Sequence, residues 1–310
     1  MDPVIAKLIP IFILAFLGFI AGRIHLLPDN TSGALCSFLF FFCGPAVSFS
    51  NIITSEIRDI FNLRFTLAFI AFELSAILIS SLLYKSVFKE KGADLIIHVL
   101  CSFYGNISYV GIPVFLSIFN NVIPNLIALM IHVTLIAPVI LFLLDRYSGN
   151  NAQTDIFHSM LGSLKNPNIF VPVLAVLLLL FKVPVPQVIR DTVELLGKPT
   201  TTVGMFALGL TCSKNSLRTA KSIIISASVS ALVKVIVCPG IAFLLGKFIF
   251  GLDTWWLNSL VILAMLPAAL NDYIYSQRYH RSENFAGAAV LLSTFLFSIT
   301  ISLYILLIKV

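Results

Sequence analysis

Two stretches bring together side chains and freed backbone able to hold a small polar ligand. In "FYGNISYVGIPVF", Phe103 to Phe115, Asn106 and Ser108 stand among Gly105, Gly111 and Pro113. In "LPAALNDYIYSQRY", Leu266 to Tyr279, Pro267 precedes Asn271 and Asp272. Glycine and proline interrupt a helix and release N–H and C=O groups from its ladder. An asparagine amide both donates and accepts. Such a pattern supports binding rather than bond-making. N–H groups at a helix start suit an anion, and carbonyls at a helix end suit a cation. Ligand contacts are therefore expected at Asn106, Ser108, Gly111, Pro113, Pro267 and Asn271.

Three charged residues lie inside apolar runs: Asp272, Glu73 and Lys234. Each costs roughly 2.5–3.5 kcal/mol at the centre of a membrane helix, so each needs a role. Asp272 is expected to serve as a proton or cation site, or else to pair with a nearby Lys or Arg. Glu73 and Lys234 sit near the middle of their runs and are expected to approach each other or to frame one cavity. Lys198 is expected to snorkel at an irregular "GKP". His98 and His132 titrate in the physiological range as a class but read as hydrogen-bonded structural groups.

Catalysis finds little footing. There is no paired Ser–His or His–Glu–x–x–His arrangement, the acidic residues are scattered, and membrane aspartyl protease motifs are lacking. The five cysteines form no C-x-x-C and read as small apolar packers, so neither metal nor cofactor is expected.

The elements that must position these residues are membrane helices. Of 310 residues 59% are hydrophobic and 11% charged, whereas a soluble domain is about a quarter charged. Mean hydropathy is +1.02. Ten spans fit, at 4–22, 32–50, 65–84, 95–118, 124–144, 167–182, 189–211, 221–249, 255–279 and 284–308. The fold class is thus an all-α polytopic membrane protein, with the lipid bilayer as its surroundings. The N-terminus lacks a basic region and a small-residue cleavage site, so the first run reads as a retained span. The net charge of +6 punctuates loops and forms no patch for nucleic acid. Loops opposite the termini carry more Lys and Arg (among them Lys85, Lys89, Lys91, Arg278 and Arg281) than the terminal side (Lys7, Arg58, Arg64, Lys182, Arg190, Lys247 and Lys309). The positive-inside rule then puts both termini on the outer side.

The chain divides near its middle. The polar stretch from Asp145 to Pro167 separates five spans from five. Domain boundaries are expected at 1–146, 147–165 for a short central loop, and 166–310. An odd number of spans per half would insert the second half upside down. Each half opens with a span, a Pro-marked loop and a Pro-bearing second span (Pro45, Pro199), and each has a broken fourth span. Inverted repeats with discontinuous helices in matching places point to a transporter's binding site.

At these residues the chain resembles the auxin efflux carrier family. The likeness runs through "GFIAGRIHLLP", "NLRF", "GNISYVGIP", "KNP", "FALGL", "LPAALNDYIYSQRY" and "AAVLLSTFLFSIT", in order and over almost the whole length. The resemblance implies the fold of the sodium–bile acid symporters: ten helices as two inverted five-helix repeats, with helices 4 and 9 broken and crossing. It also implies an elevator mechanism, with spans 3–5 and 8–10 moving past a scaffold of spans 1, 2, 6 and 7, and a homodimer through that scaffold. By position it assigns Asn106, Gly111 and Pro113 to the first crossover and Pro267 and Asn271 to the second. Ser108 stands where many members have glycine, and Asp272 adds a carboxylate to a crossover that is often uncharged. The implied activity is secondary transport of a small organic anion, a carboxylate or auxin-like acid, across a bacterial cytoplasmic membrane. Proton coupling, sodium coupling of the bile-acid type and uniport stay open, as does, behind them, a channel.

Overall fold

The computed structural model describes residues 3–54, 62–148, 167–214 and 221–308. Most of the 147–165 loop lies outside the described residues, as do Arg58, Lys165 and Arg218. Thirteen helices run through the described residues: α1 Pro3–Arg23, α2 31–53, α3 Leu63–Ser86, α4 Gly92–Phe103, α5 107–119, α6 Ile123–Ser148, α7 Pro167–Leu180, α8 Gln187–Gly197, α9 Thr200–Lys214, α10 Lys221–Ile249, α11 Thr254–Met265, α12 Leu270–Tyr279 and α13 Glu283–Ile308. There is no strand among them; one isolated antiparallel bridge joins Gly105 to Ala268. Five helices are long and apolar enough to cross a membrane: Thr31–Ser50, Leu63–Ser86, Ile123–Ser148, Lys221–Ile249 and Glu283–Leu307.

Each of the ten sequence segments falls on one helix or on two successive ones. The fourth divides into α4 and α5, the seventh into α8 and α9 at Lys198–Pro199, and the ninth into α11 and α12. Helix starts follow local chemistry. Asn62 accepts from Phe65 N–H (3.1 Å) ahead of α3, and Asp253 accepts from Trp256 N–H (3.1 Å) ahead of α11.

Prolines explain four of the five irregular turns. Of the π-helical turns among the described residues, those at 39–43, 107–111, 132–136 and 233–237 are each followed two residues later by a proline (Pro45, Pro113, Pro138 and Pro239), and the one at 245–249 is not. A proline has no N–H to give and its ring collides with the carbonyl four residues back, so the preceding turn widens by one residue.

Packing sorts the helices by residue size. α1 lies along α9, where Gly18 and Gly209 bring backbones into contact: a Cβ on Gly18 would strike the Phe206 carbonyl, and one on Gly209 the Ala15 carbonyl. α2 packs on α7 and α8, α3 on α4, and α10 on α13. Serines glue the second set. Tyr84 of α3 donates to the Ser226 carbonyl (3.1 Å), and the hydroxyls of Ser102 and Ser230 meet at 2.9 Å.

Candidate functional site

The two helix breaks meet. Where α4 ends and α5 begins, Tyr104–Gly105–Asn106 runs extended, and Pro267–Ala268–Ala269 does the same between α11 and α12. Asn106 N–H donates to the Pro267 carbonyl (2.8 Å) and Ala269 N–H to the Tyr104 carbonyl (3.1 Å). Buried backbone groups outside a helix must find partners, and here each broken segment supplies the other's. Four helix termini thereby converge on one place. Ser293 of α13 adds an acceptor for Ala268 N–H (3.0 Å).

Charge is placed at these termini. The Lys234 ammonium, fully buried, donates to the Ala264 carbonyl (2.6 Å) in the last turn of α11. The Asp272 carboxylate, also fully buried, accepts from Ala269 N–H (3.1 Å) at the first turn of α12. A cation at a helix end and an anion at a helix start both oppose the macrodipole. Thus Asp272 holds the start of its own helix, and its other oxygen, Oδ1, has no hydrogen-bond partner among the described residues. Among those residues no ion pair joins Lys234 to Glu73. Glu73 Oε1 instead lies 3.0 Å from His132 Nε2, and both side chains are buried. His98 is held separately: Nδ1 is 2.7 Å from the Asp94 carbonyl and the ring stacks on Phe285 at 3.7 Å.

A narrow recess opens beside the crossing, with a cavity volume of about 30 Å³. The crossing contributes Tyr104, Gly105, Asn106, Ile107, Ala269, Leu270 and Asn271. α12 adds Tyr275, α6 adds Leu129, His132, Val133 and Ala137, α2 adds Gly44, Val47 and Ser48, and α7 adds Asn168. Of the residues expected to contact ligand, Asn106 and Asn271 line the recess, whereas Pro267 serves through its carbonyl in the crossing bond. Gly111 lies behind, where a Cβ would collide with Asn125 Oδ1. The Asn125 amide in turn donates to the Ile107 carbonyl (3.2 Å) at the start of α5. Ser108 and Pro113 belong to the π turn and to α5, but their side chains lie outside the described residues. The two asparagines are not at corresponding places: Asn106 is one residue past the bridge residue Gly105, and Asn271 is three past Ala268.

Sequence reasoning did not place Tyr104, Ser48, Asn168, His132 and Tyr275 in the lining. Asn168 stands two residues past Lys165–Asn166 at the start of an apolar run, and its amide donates to the Phe40 carbonyl (2.6 Å) in the π turn of α2. A polar residue inside an apolar run was the available signal; the proline-widened turn it serves was not visible. His132 was noted as titratable, but its partner Glu73 is 59 residues away.

An all-helical chain with five evident membrane helices and a polar recess among broken helices is a multi-pass membrane transporter in class. A family model described as "Membrane transport protein" matches residues 3–305. The chain belongs to that family, the auxin efflux carrier family. It is 25% identical over 307 residues to the uncharacterized transporter YfdV of Escherichia coli K12, covering 97% of this chain and 96% of that one. It is 22% identical over 322 residues to a putative malonate transporter of Rhizobium meliloti, covering 97% and 95%. To the uncharacterized transporter MJ1031 of Methanocaldococcus jannaschii it is 23% identical, covering 95% of each.

Proposed function

We propose that this chain is a secondary carrier of a small organic anion, working by alternating access across a bacterial cytoplasmic membrane with both termini outside. The observation that carries the reading is the crossing of two broken helices beside a polar recess. The recess has amide and hydroxyl groups for orientation and, among the described residues, no Lys or Arg in its lining. A carboxylate there would be held by Asn106, Asn271 and N–H groups at the helix starts, in a geometry that also permits release. The name of the Rhizobium relative favours a short dicarboxylate.

The crossing bonds are reciprocal, one from each break to the other, which supports two inverted five-helix repeats, 1–146 and 166–310, joined by the 147–165 loop. The contacts of α1 with α9 and of α2 with α7 and α8 support a scaffold of spans 1, 2, 6 and 7. Spans 3–5 and 8–10 would carry the recess past it, and the scaffold would provide any homodimer contact. Sodium coupling is the weaker reading. A half-helix C-terminal carbonyl is where a coupling cation binds in such sites, and at α11 the Lys234 ammonium takes one.

The test is uptake of labelled malonate, succinate and indole-3-acetate into liposomes, with proton and sodium gradients set independently. Saturable uptake of one acid class is expected. Asn106→Ala and Asn271→Ala should each weaken binding by about tenfold, the loss of one hydrogen bond to a charged group of roughly 1.5 kcal/mol. Wild-type protein that neither binds nor moves any of the three acids would remove the organic-anion reading.

A further inference from the structure

The ionisable groups around the crossing do not balance. Glu73, Asp272 and Lys234 are each no more than 1% exposed. Fully ionised, two carboxylates and one ammonium would leave one negative charge in a low-dielectric interior, where an uncompensated ion costs several kcal/mol. A bound proton, on Asp272 or elsewhere in the cluster, would remove it, and one described group is placed to share it with Glu73. His132 Nε2 lies 3.0 Å from Glu73 Oε1, and the imidazole stacks on Tyr104 with ring centroids 4.0 Å apart. The second Glu73 oxygen, Oε2, is buried without a hydrogen-bond partner among the described residues, so the pair has room for a proton.

His132 also faces the recess. The titratable and charged groups around the pair are Tyr104 at the break and Tyr275 beside His132, and Lys234 and Cys238 from α10 beside Glu73, with Asp272 of α12 next to Lys234; α7 presents the neutral Asn168. The tyrosines are phenols, which as a class ionise near pH 10. Of these groups His132 is the one that both lines the recess and meets a buried carboxyl, that of Glu73.

We infer that Glu73 and His132 form a proton site that couples anion carriage to proton movement, the recess taking an organic anion when the pair holds a proton and refusing it when the pair does not. This rests on the carrier reading above and deepens it. Without the proton, an arriving monocarboxylate raises the local charge from −1 to −2. With it, the charge goes from zero to −1, the value of the empty unprotonated site. Whether the proton sits on imidazole or carboxyl, the pair's charge is the same. Linkage is reciprocal, so bound anion favours the proton as much as the proton favours the anion. The product is symport of one proton per acid bound.

The experiment mixes purified protein in weakly buffered detergent solution with malonate, succinate or indole-3-acetate, and a pH indicator reports protons taken up per acid bound. About one proton per acid is expected, with affinity falling about tenfold per pH unit on the alkaline side, as single-proton linkage requires. His132→Gln keeps a donor for Glu73 but leaves only the carboxyl to take the proton, so its binding and proton uptake should shift to lower pH. Glu73→Gln removes the surplus charge outright. It should bind acid at alkaline pH without a proton, and in liposomes a membrane potential but not a pH gradient should drive its uptake. A purely structural pair would instead lose binding in both variants. Wild-type binding without proton uptake, or an unchanged pH dependence of binding in both His132→Gln and Glu73→Gln, overturns the site while leaving the carrier intact. If the wild type binds and moves none of the acids, the carrier reading falls and the proton site falls with it.

Discussion

Each charged residue in the interior has a terminus or a partner. Lys234 and Asp272 flank the break between α11 and α12, one on the last carbonyls of the first helix and the other on the first N–H groups of the second. Removing the ammonium leaves two carboxylates and a helix end uncompensated. Lys234→Met should therefore destabilise by about 3 kcal/mol, read as a lowered apparent melting temperature in detergent, whereas Lys234→Arg should recover part of it. Equal stability of wild type and Lys234→Met would show that the lysine does not hold the break. That Glu73, Asp272 and Lys234 must matter was legible from their cost in hydrocarbon. Their partners were not, because a sequence gives no distances. Glu73 was expected to approach Lys234 or to frame one cavity with it; no ion pair joins them among the described residues, and the packing of α3 on α6 sets His132 at 3.0 Å from Glu73.

At the scale of elements, proline is the organising residue. Four π turns each precede a proline by two residues, and three of them, 39–43, 107–111 and 132–136, lie in the helices that frame the recess. A turn with one extra residue rotates everything beyond it by on the order of 100°. Pro138→Ala removes the reason for the turn at 132–136. The expectation is a straight α6 that turns His132 away from Glu73, with acid uptake lost and melting temperature unchanged or raised. Uptake at the wild-type rate would show that the packing of α6, and not Pro138, imposes the turn. The breaks were readable from Gly105, Gly111, Pro113 and Pro267. The widening to π was not, since proline kinks a helix in several ways and the surroundings select among them.

The whole molecule must open the recess to each side in turn if it carries by alternating access. Contacts between the proposed scaffold and moving helices would then have to break during each cycle. Tyr273 of α12 donates to the Ala207 carbonyl of α9 (3.2 Å) and its hydroxyl lies 3.1 Å from Ser32 Oγ of α2. Gly204 of α9 faces Leu270 so closely that a Cβ would press on its side chain. With the five native cysteines replaced, Gly204→Cys with Leu270→Cys should form a disulfide on mild oxidation. Uptake should then stop and return on reduction, with acid binding kept throughout. Full uptake in the oxidised, cross-linked protein would show that these helices do not part during transport.

By itself the sequence determined the solvent, the number of apolar segments and where three of them break, because hydrocarbon admits only long apolar runs and punishes any residue that frees a backbone group. It also marked Asn106 and Asn271 as binding candidates, and both line the recess. Only the tertiary structure decided that the two breaks exchange hydrogen bonds, that Asn168 and His132 come to the same recess, and that Glu73 faces a histidine. Those contacts join residues far apart in the chain, Glu73 and His132 by 59 positions. They follow from how helices with particular glycines, serines and widened turns pack, a balance of many small terms that no local pattern records.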